Sequence, residues 1–251
     1  MITLHHLNNS RSQRILWLLE ELNLEYSTQA HYRDAKTGLA PQSMRDIFPL
    51  GRFPVVTITE ENDKHSANDN DASPIVLSES GAIVEYLAHK YSAQAPHLQQ
   101  SLIIPPSEPL FQQYSYWYHF AEGTMMPPLI ANLVLGKAKA KKKPIFVNTI
   151  ANKVIDAILE AYYTPNHEAN LAYVKSHLAQ QQSKGFDFFV GNALSAVDIM
   201  MLFPLEALVA TQGSKIDPVI HSYVSAMQSR PAYQAALTKG GDYDFGPKQA
   251  A

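Results

Sequence analysis

An α/β domain at the N-terminus followed by an all-α domain is what this 251-residue chain predicts. Two observations carry it. Short β-capable runs and amphipathic helical runs alternate as β-α-β and then β-β-α up to residue 92. Beyond the proline-bearing stretch after residue 92, almost every segment has a 3.6-residue apolar period and no convincing strand appears. The expected boundaries are an N-terminal domain over 1–92, a linker over 93–105 and a helical domain over 106–251.

Taken in order, Ile2 to Leu7 is the first strand, and the polar turn Asn8-Asn9-Ser10-Arg11-Ser12 comes next. Ile15, Leu16, Leu18, Leu19 and Leu22 recur at helical spacing, predicting a helix from Ser12 to Leu22. Ser10, with Gln13 three residues on, has the pattern of a capping box for that helix. Tyr26 to Ala30 is a second strand. Pro49-Leu50-Gly51-Arg52-Phe53-Pro54 reads as a glycine turn and a proline-marked bend leading into the β-branched strand Val55–Thr59. Ile75-Val76-Leu77 completes a hairpin, and the polar stretch Glu60–Pro74 between the two strands is expected to be a long exposed loop. Ser78-Glu79-Ser80 then opens a helix whose apolar residues are Ile83, Val84, Leu87 and Tyr91. Free N–H groups and the positive dipole end make such a helix entrance suited to a carboxylate. This order of elements is that of a thioredoxin-like domain.

In the second half, Pro127-Pro128 is expected to kink or break the first helix, because proline removes a backbone donor and clashes with the preceding turn. Pro144, Pro165, Pro204, Pro218 and Pro231 punctuate the remainder of the chain. Ser195-Ala196-Val197-Asp198 is a capping box, with Leu194 and Ile199 placed as a hydrophobic staple. Tyr114, Trp117 and Tyr118 share one helical face in an aromatic run. The lysines between 137 and 143 fit a solvated helix end, favoured by the negative end of the dipole.

Composition excludes several classes. The 46% hydrophobic and 17% charged residues are ordinary for a globular protein, and a net charge of −3 argues for neither nucleic acid nor membrane as partner. No apolar run approaches the roughly 18 residues of a spanning helix, and the N-terminus lacks the shape of a signal peptide, so a cytoplasmic location is expected. Zero cysteines exclude disulfides, thiolate metal sites and a protein thiol nucleophile. His5 and His6 fit a strand and have no metal-ligand spacing, so no metal is expected.

Gly51-Arg52-Phe53-Pro54 followed some twenty-five residues later by Glu79-Ser80, then Gly191-Asn192-Ala193-Leu194-Ser195-Ala196-Val197-Asp198-Ile199 and Ser229-Arg230-Pro231-Ala232-Tyr233, resembles the glutathione transferase superfamily along nearly the whole chain. Only Glu60–Pro74 and the tail after Thr238 lie outside the resemblance. It implies that Glu79 and Ser80 hold the γ-glutamyl end of glutathione, that Pro54 is cis, that Phe53 pairs through its backbone with the cysteinyl unit and that Arg52 contacts the glutathione backbone or glycyl carboxylate. Tyr114, Trp117 and Tyr118 would flank the pocket of a small apolar electrophile. The chain would be a cytoplasmic homodimer used in detoxification, with glutathione as co-substrate and no cofactor. The group that activates the thiol belongs at the turn after the first strand. The ungapped register of serine- and cysteine-type relatives puts Asn9 there, a shift of one residue selects Ser10, and Ser12 reaches the sulfur from the first helical turn. Attack on electrophiles or reduction of organic peroxides is the implied activity. Disulfide reduction with two glutathiones, or a non-catalytic module of the same fold that binds ligands or partners, are the alternatives.

Overall fold

The computed structural model describes residues 1–59, 74–95, 97–98, 100–141 and 144–247. The stretch expected as a long loop, Glu60–Pro74, lies outside the described residues except for Pro74. Four strands form one mixed sheet: β1 (Ile2–Leu7), β2 (Tyr26–His31), β3 (Val55–Ile58) and β4 (Ile75–Ser78), in the order β2-β1-β3-β4. β2 lies parallel to β1, and the other two pairings are antiparallel, with Leu4 opposite Val56 and Val56 opposite Leu77. The pattern reflects composition. The central strands β1 and β3 are mostly buried, whereas the polar β2 and short β4 stand at the edges and are largely exposed.

Two helices complete this half, α1 (Ser12–Glu21) and α2 (Ser80–Tyr91). Seven more make up the second half: α3 (Phe111–Phe120), α4 (Met126–Ala140), α5 (Ile145–Ile158), α6 (Thr164–Ser183), α7 (Ala196–Gln212), α8 (Pro218–Gln228) and α9 (Pro231–Gly240). α1 is buried almost all round because α7 and α9 cover the side that the sheet leaves free. One cluster of buried side chains, including Leu4, Leu16, Trp17, Trp117 and Leu205, runs through both halves. The mixed sheet with its helices, followed by a helical C-terminal half, is the fold class expected from the order of patterns.

Several local expectations need correction. The N-cap of α1 is Arg11, and no Ser10–Gln13 box forms; the Gln13 side-chain amide has no partner among the described residues, because α1 is enclosed there. At Pro127-Pro128 the helical run continues without a break. A π-helical turn, Ala121–Met125, takes up the mismatch, and the prolines fall in the first turn of α4. Pro204 likewise sits inside α7 without ending it, held by packing around that buried helix. α7 with the turn after it (Ala196–Lys215) is also long and apolar enough to cross a membrane, contrary to expectation; two thirds of it is buried, as befits the central core helix.

The Ser195–Asp198 capping box forms. The Asp198 carboxylate is fully buried and accepts from the backbone N–H groups of Phe189 and Ser195 (both 2.9 Å), the Ser195 hydroxyl (3.1 Å) and the Tyr223 hydroxyl (3.0 Å). Burial pushes its pKa up, and these four donors pull it back.

Candidate functional site

A cavity of about 940 Å³ opens between the two halves, within the size range of small-ligand sites. Its polar wall comes from the sheet side. The β1–α1 turn brings Asn9 and Ser10, the bend before β3 brings Arg52, Phe53 and Pro54, and the entrance of α2 brings Glu79 and Ser80. The Phe53–Pro54 peptide is cis, as the resemblance implies. The Phe53 ring packs on His31, with centroids 5.0 Å apart.

Glu79 caps α2 with φ 71°, a left-handed backbone uncommon for a residue with a side chain. This places its carboxylate in solvent at the cleft, while the enclosed Ser80 hydroxyl has no partner among the described residues. The Tyr118 hydroxyl, donating to the Gly81 carbonyl at 2.5 Å, braces that first turn from α3.

At the β1–α1 turn Asn9 also has positive φ, 50°. Its carboxamide donates to Asp244 Oδ2 (2.7 Å) and accepts from the Asp244 backbone N–H (2.8 Å). Its carbonyl accepts from Arg33 Nη2 at 3.1 Å. Ser10 Oγ accepts from the Ser12 N–H at 3.2 Å and lies 2.8 Å from Ser12 Oγ. Ser12 is fully buried, does not line the cleft, and spends its hydroxyl on Leu7 and on His6 Nδ1. It braces the turn from below and does not reach a sulfur in the cleft. Burial holds His6 down to about 4, so this network stays neutral at physiological pH.

The opposite wall is apolar: Met126, Leu129, Ile130 and Leu133 of α4, Phe203 and Leu208 of α7, and Phe245 of the C-terminal tail. The aromatics expected there are elsewhere. Tyr114, Trp117 and Tyr118 are buried and none lines the cleft, because α3 turns them inward; Trp117 packs among Tyr173, His177 and Phe189. Periodicity marks an apolar face but not which neighbour covers it. The apolar residues around Pro127-Pro128 held the better signal, since α4, which follows the π-helical turn, lines the cleft.

Other cationic groups around the cleft have no local sequence signal. Arg33 comes after β2 in a loop without periodicity, and Arg11 stands at the N-cap of α1; both line the cavity with Arg52. Beneath them Arg14 is fully buried, with Nη1 2.5 Å from Glu122 Oε1, while Arg11 Nε lies 3.3 Å from Glu122 Oε2. Burial lowers the Arg14 pKa, which Glu122 opposes. This ion pair ties α1 to the π-helical turn and so fixes the two walls across the cleft.

The chain matches the family model "Glutathione S-transferase, N-terminal domain" over residues 10–90. It is 31% identical to glutathione S-transferase 3 of Schizosaccharomyces pombe, covering 96% of this chain and 89% of that one. It is 29% identical to glutathione S-transferase 1 of Saccharomyces cerevisiae over 95% of both. Its fold is similar to the crystal structure of a glutathione S-transferase from Actinobacillus pleuropneumoniae (TM-score 0.69, 26% identity, 96% of this chain and 93% of that one). A shared fold, relatives matched along almost their full length and the cis-proline site together place this chain in the glutathione S-transferase family.

Proposed function

We propose that this protein is a glutathione transferase that holds glutathione along the polar wall and an apolar electrophile or organic peroxide against the α4–α7 wall. The juxtaposition of Asn9, Phe53-Pro54 and Glu79-Ser80 on one side of the cavity carries this reading. Glu79 receives the γ-glutamyl ammonium, Ser80 and the α2 N-terminus receive the adjacent carboxylate, and Arg52 with Arg33 receives the glycyl end. The cysteinyl sulfur then lies at Asn9 and Ser10. A thiol of pKa about 8.5 is roughly 3% ionised at pH 7, and lowering that pKa by about 2 units needs about 2.7 kcal/mol. An amide donor and the field of the α1 N-terminus supply a stabilisation of that order. Asn9 cannot act as a base, so the proton leaves to water and the thiolate attacks the electrophile.

One observation favours a non-catalytic glutathione-binding module instead: both ends of the Asn9 carboxamide are already bonded to Asp244. Calorimetric titration with glutathione, followed by electrophile, peroxide and disulfide assays, separates the readings. Binding with turnover of an electrophile or peroxide is expected. Turnover of disulfides alone would make the protein a glutathione-dependent reductase, and binding without any turnover would leave the module.

In this reading the protein is a cytoplasmic homodimer. The outward face of α5 and the turn beyond it shows Phe146, Ile150, Val154, Ile158 and Tyr162 in one exposed stripe, Phe146 at 85% and Ile150 at 66% exposure. A contiguous apolar stripe of this kind suits burial against a second copy. Ile150→Glu is expected to shift the mass measured by light scattering from dimer to monomer. A wild-type monomer would overturn the assignment.

A further inference from the structure

The C-terminal tail after α9 enters the site. Gly240 presses on α1 so closely that a Cβ would stand 2.8 Å from Gln13 Oε1 and from Leu16 Cδ1. The tail then turns back and is tied down twice beyond that point. Tyr243 donates to the buried Glu206 carboxylate at 2.5 Å, and the Gln228 amide donates to the Phe245 carbonyl at 3.2 Å. These anchors deliver Asp244 to Asn9, where backbone N–H and carboxylate together grip both ends of the carboxamide.

An asparagine amide has two donor hydrogens. One points at Asp244 Oδ2, and the other has no partner among the described residues, although Asn9 lines the cleft. Without the grip the carboxamide would be free to rotate about its side-chain bonds, and a donor that must be ordered at each turnover stabilises an anion less well. We propose that Asp244 is a positioning residue: it fixes the Asn9 carboxamide so that the second amide hydrogen faces the sulfur of bound glutathione. The inference rests on the proposed function, and it turns the contact that favours a passive module into part of the catalytic apparatus.

The carboxylate also brings a negative charge near the sulfur, which by itself opposes thiolate formation. Two variants separate charge from position. Asp244→Asn removes the charge and keeps an acceptor for the Asn9 amide, whereas Asp244→Ala removes both. The readout is thiolate absorbance of bound glutathione against pH, with melting temperature as a check on folding. The bound-thiol pKa in Asp244→Ala is expected to exceed that in Asp244→Asn by about 0.5–1 unit, as expected for loss of an oriented hydrogen bond. Glutathione affinity should stay within a few-fold in both. In an Asn9→Ala background the difference should vanish. Equal pKa values in the two Asp244 variants, or a lower value in Asp244→Ala, would overturn the positioning role even where Asn9→Ala alone raises the pKa. No shift in Asn9→Ala would instead remove Asn9 as activator and the proposal with it.

Discussion

Glu79→Ala is expected to weaken glutathione binding by roughly tenfold to a hundredfold, the effect of losing a charge-assisted hydrogen bond worth about 1.5–3 kcal/mol. Glu79 is exposed in the open cleft, so its carboxylate gains its full interaction only when the ligand ammonium displaces water. The unusual backbone at φ 71° directs it there, and the Tyr118–Gly81 bond keeps the α2 entrance in place behind it. Folding should be little affected, since the side chain makes no hydrogen bond to its own helix. Calorimetric titration of wild type and variant checks this; equal affinities would take Glu79 out of the site.

The largest effect on stability is expected at Asp198. Asp198→Ala leaves four donors in a dry interior without an acceptor, and hydrogen bonds to a buried charge contribute about 1.5–3 kcal/mol each at the upper end of the range for proteins. Because the donors relax in part, a net loss of about 3 kcal/mol is expected, or about 6–12 °C in melting temperature for a chain of this length. Asp198→Asn keeps the shape and two acceptor lone pairs but turns an N–H toward the Ser195 N–H, so an intermediate loss is expected. Chemical denaturation measures both. A loss below about 1 kcal/mol in Asp198→Ala would mean that the box is a local helix signal with no wider structural role.

Legibility in the sequence divides along local and non-local physics. Strand runs such as Val55–Ile58, the helix opened by Ser80 and the Ser195–Asp198 box are set by neighbours a few residues apart, and they stand where their patterns place them. The polar wall was legible for the same reason, since the proline bend and the α2 entrance are short contiguous motifs. The apolar wall was not. Trp117 and Met126 look equally apolar in sequence, and only the π-helical turn between them decides which faces the core and which the cleft. The grip of Asp244 on Asn9 spans 235 residues, and no local signal announces a contact of that kind. Ser10 and Ser12 show the same limit on a smaller scale: both suit a sulfur ligand by type, but the folded turn engages them with each other.

In the proposed function this cleft binds glutathione and ionises its thiol. Ultraviolet titration of glutathione bound to the wild-type protein tests that most directly. A thiol pKa at least about 1 unit below the ordinary value of about 8.5 is expected, rising by about 1–2 units in Asn9→Ala. A bound thiol that titrates as it does free in solution would contradict the account.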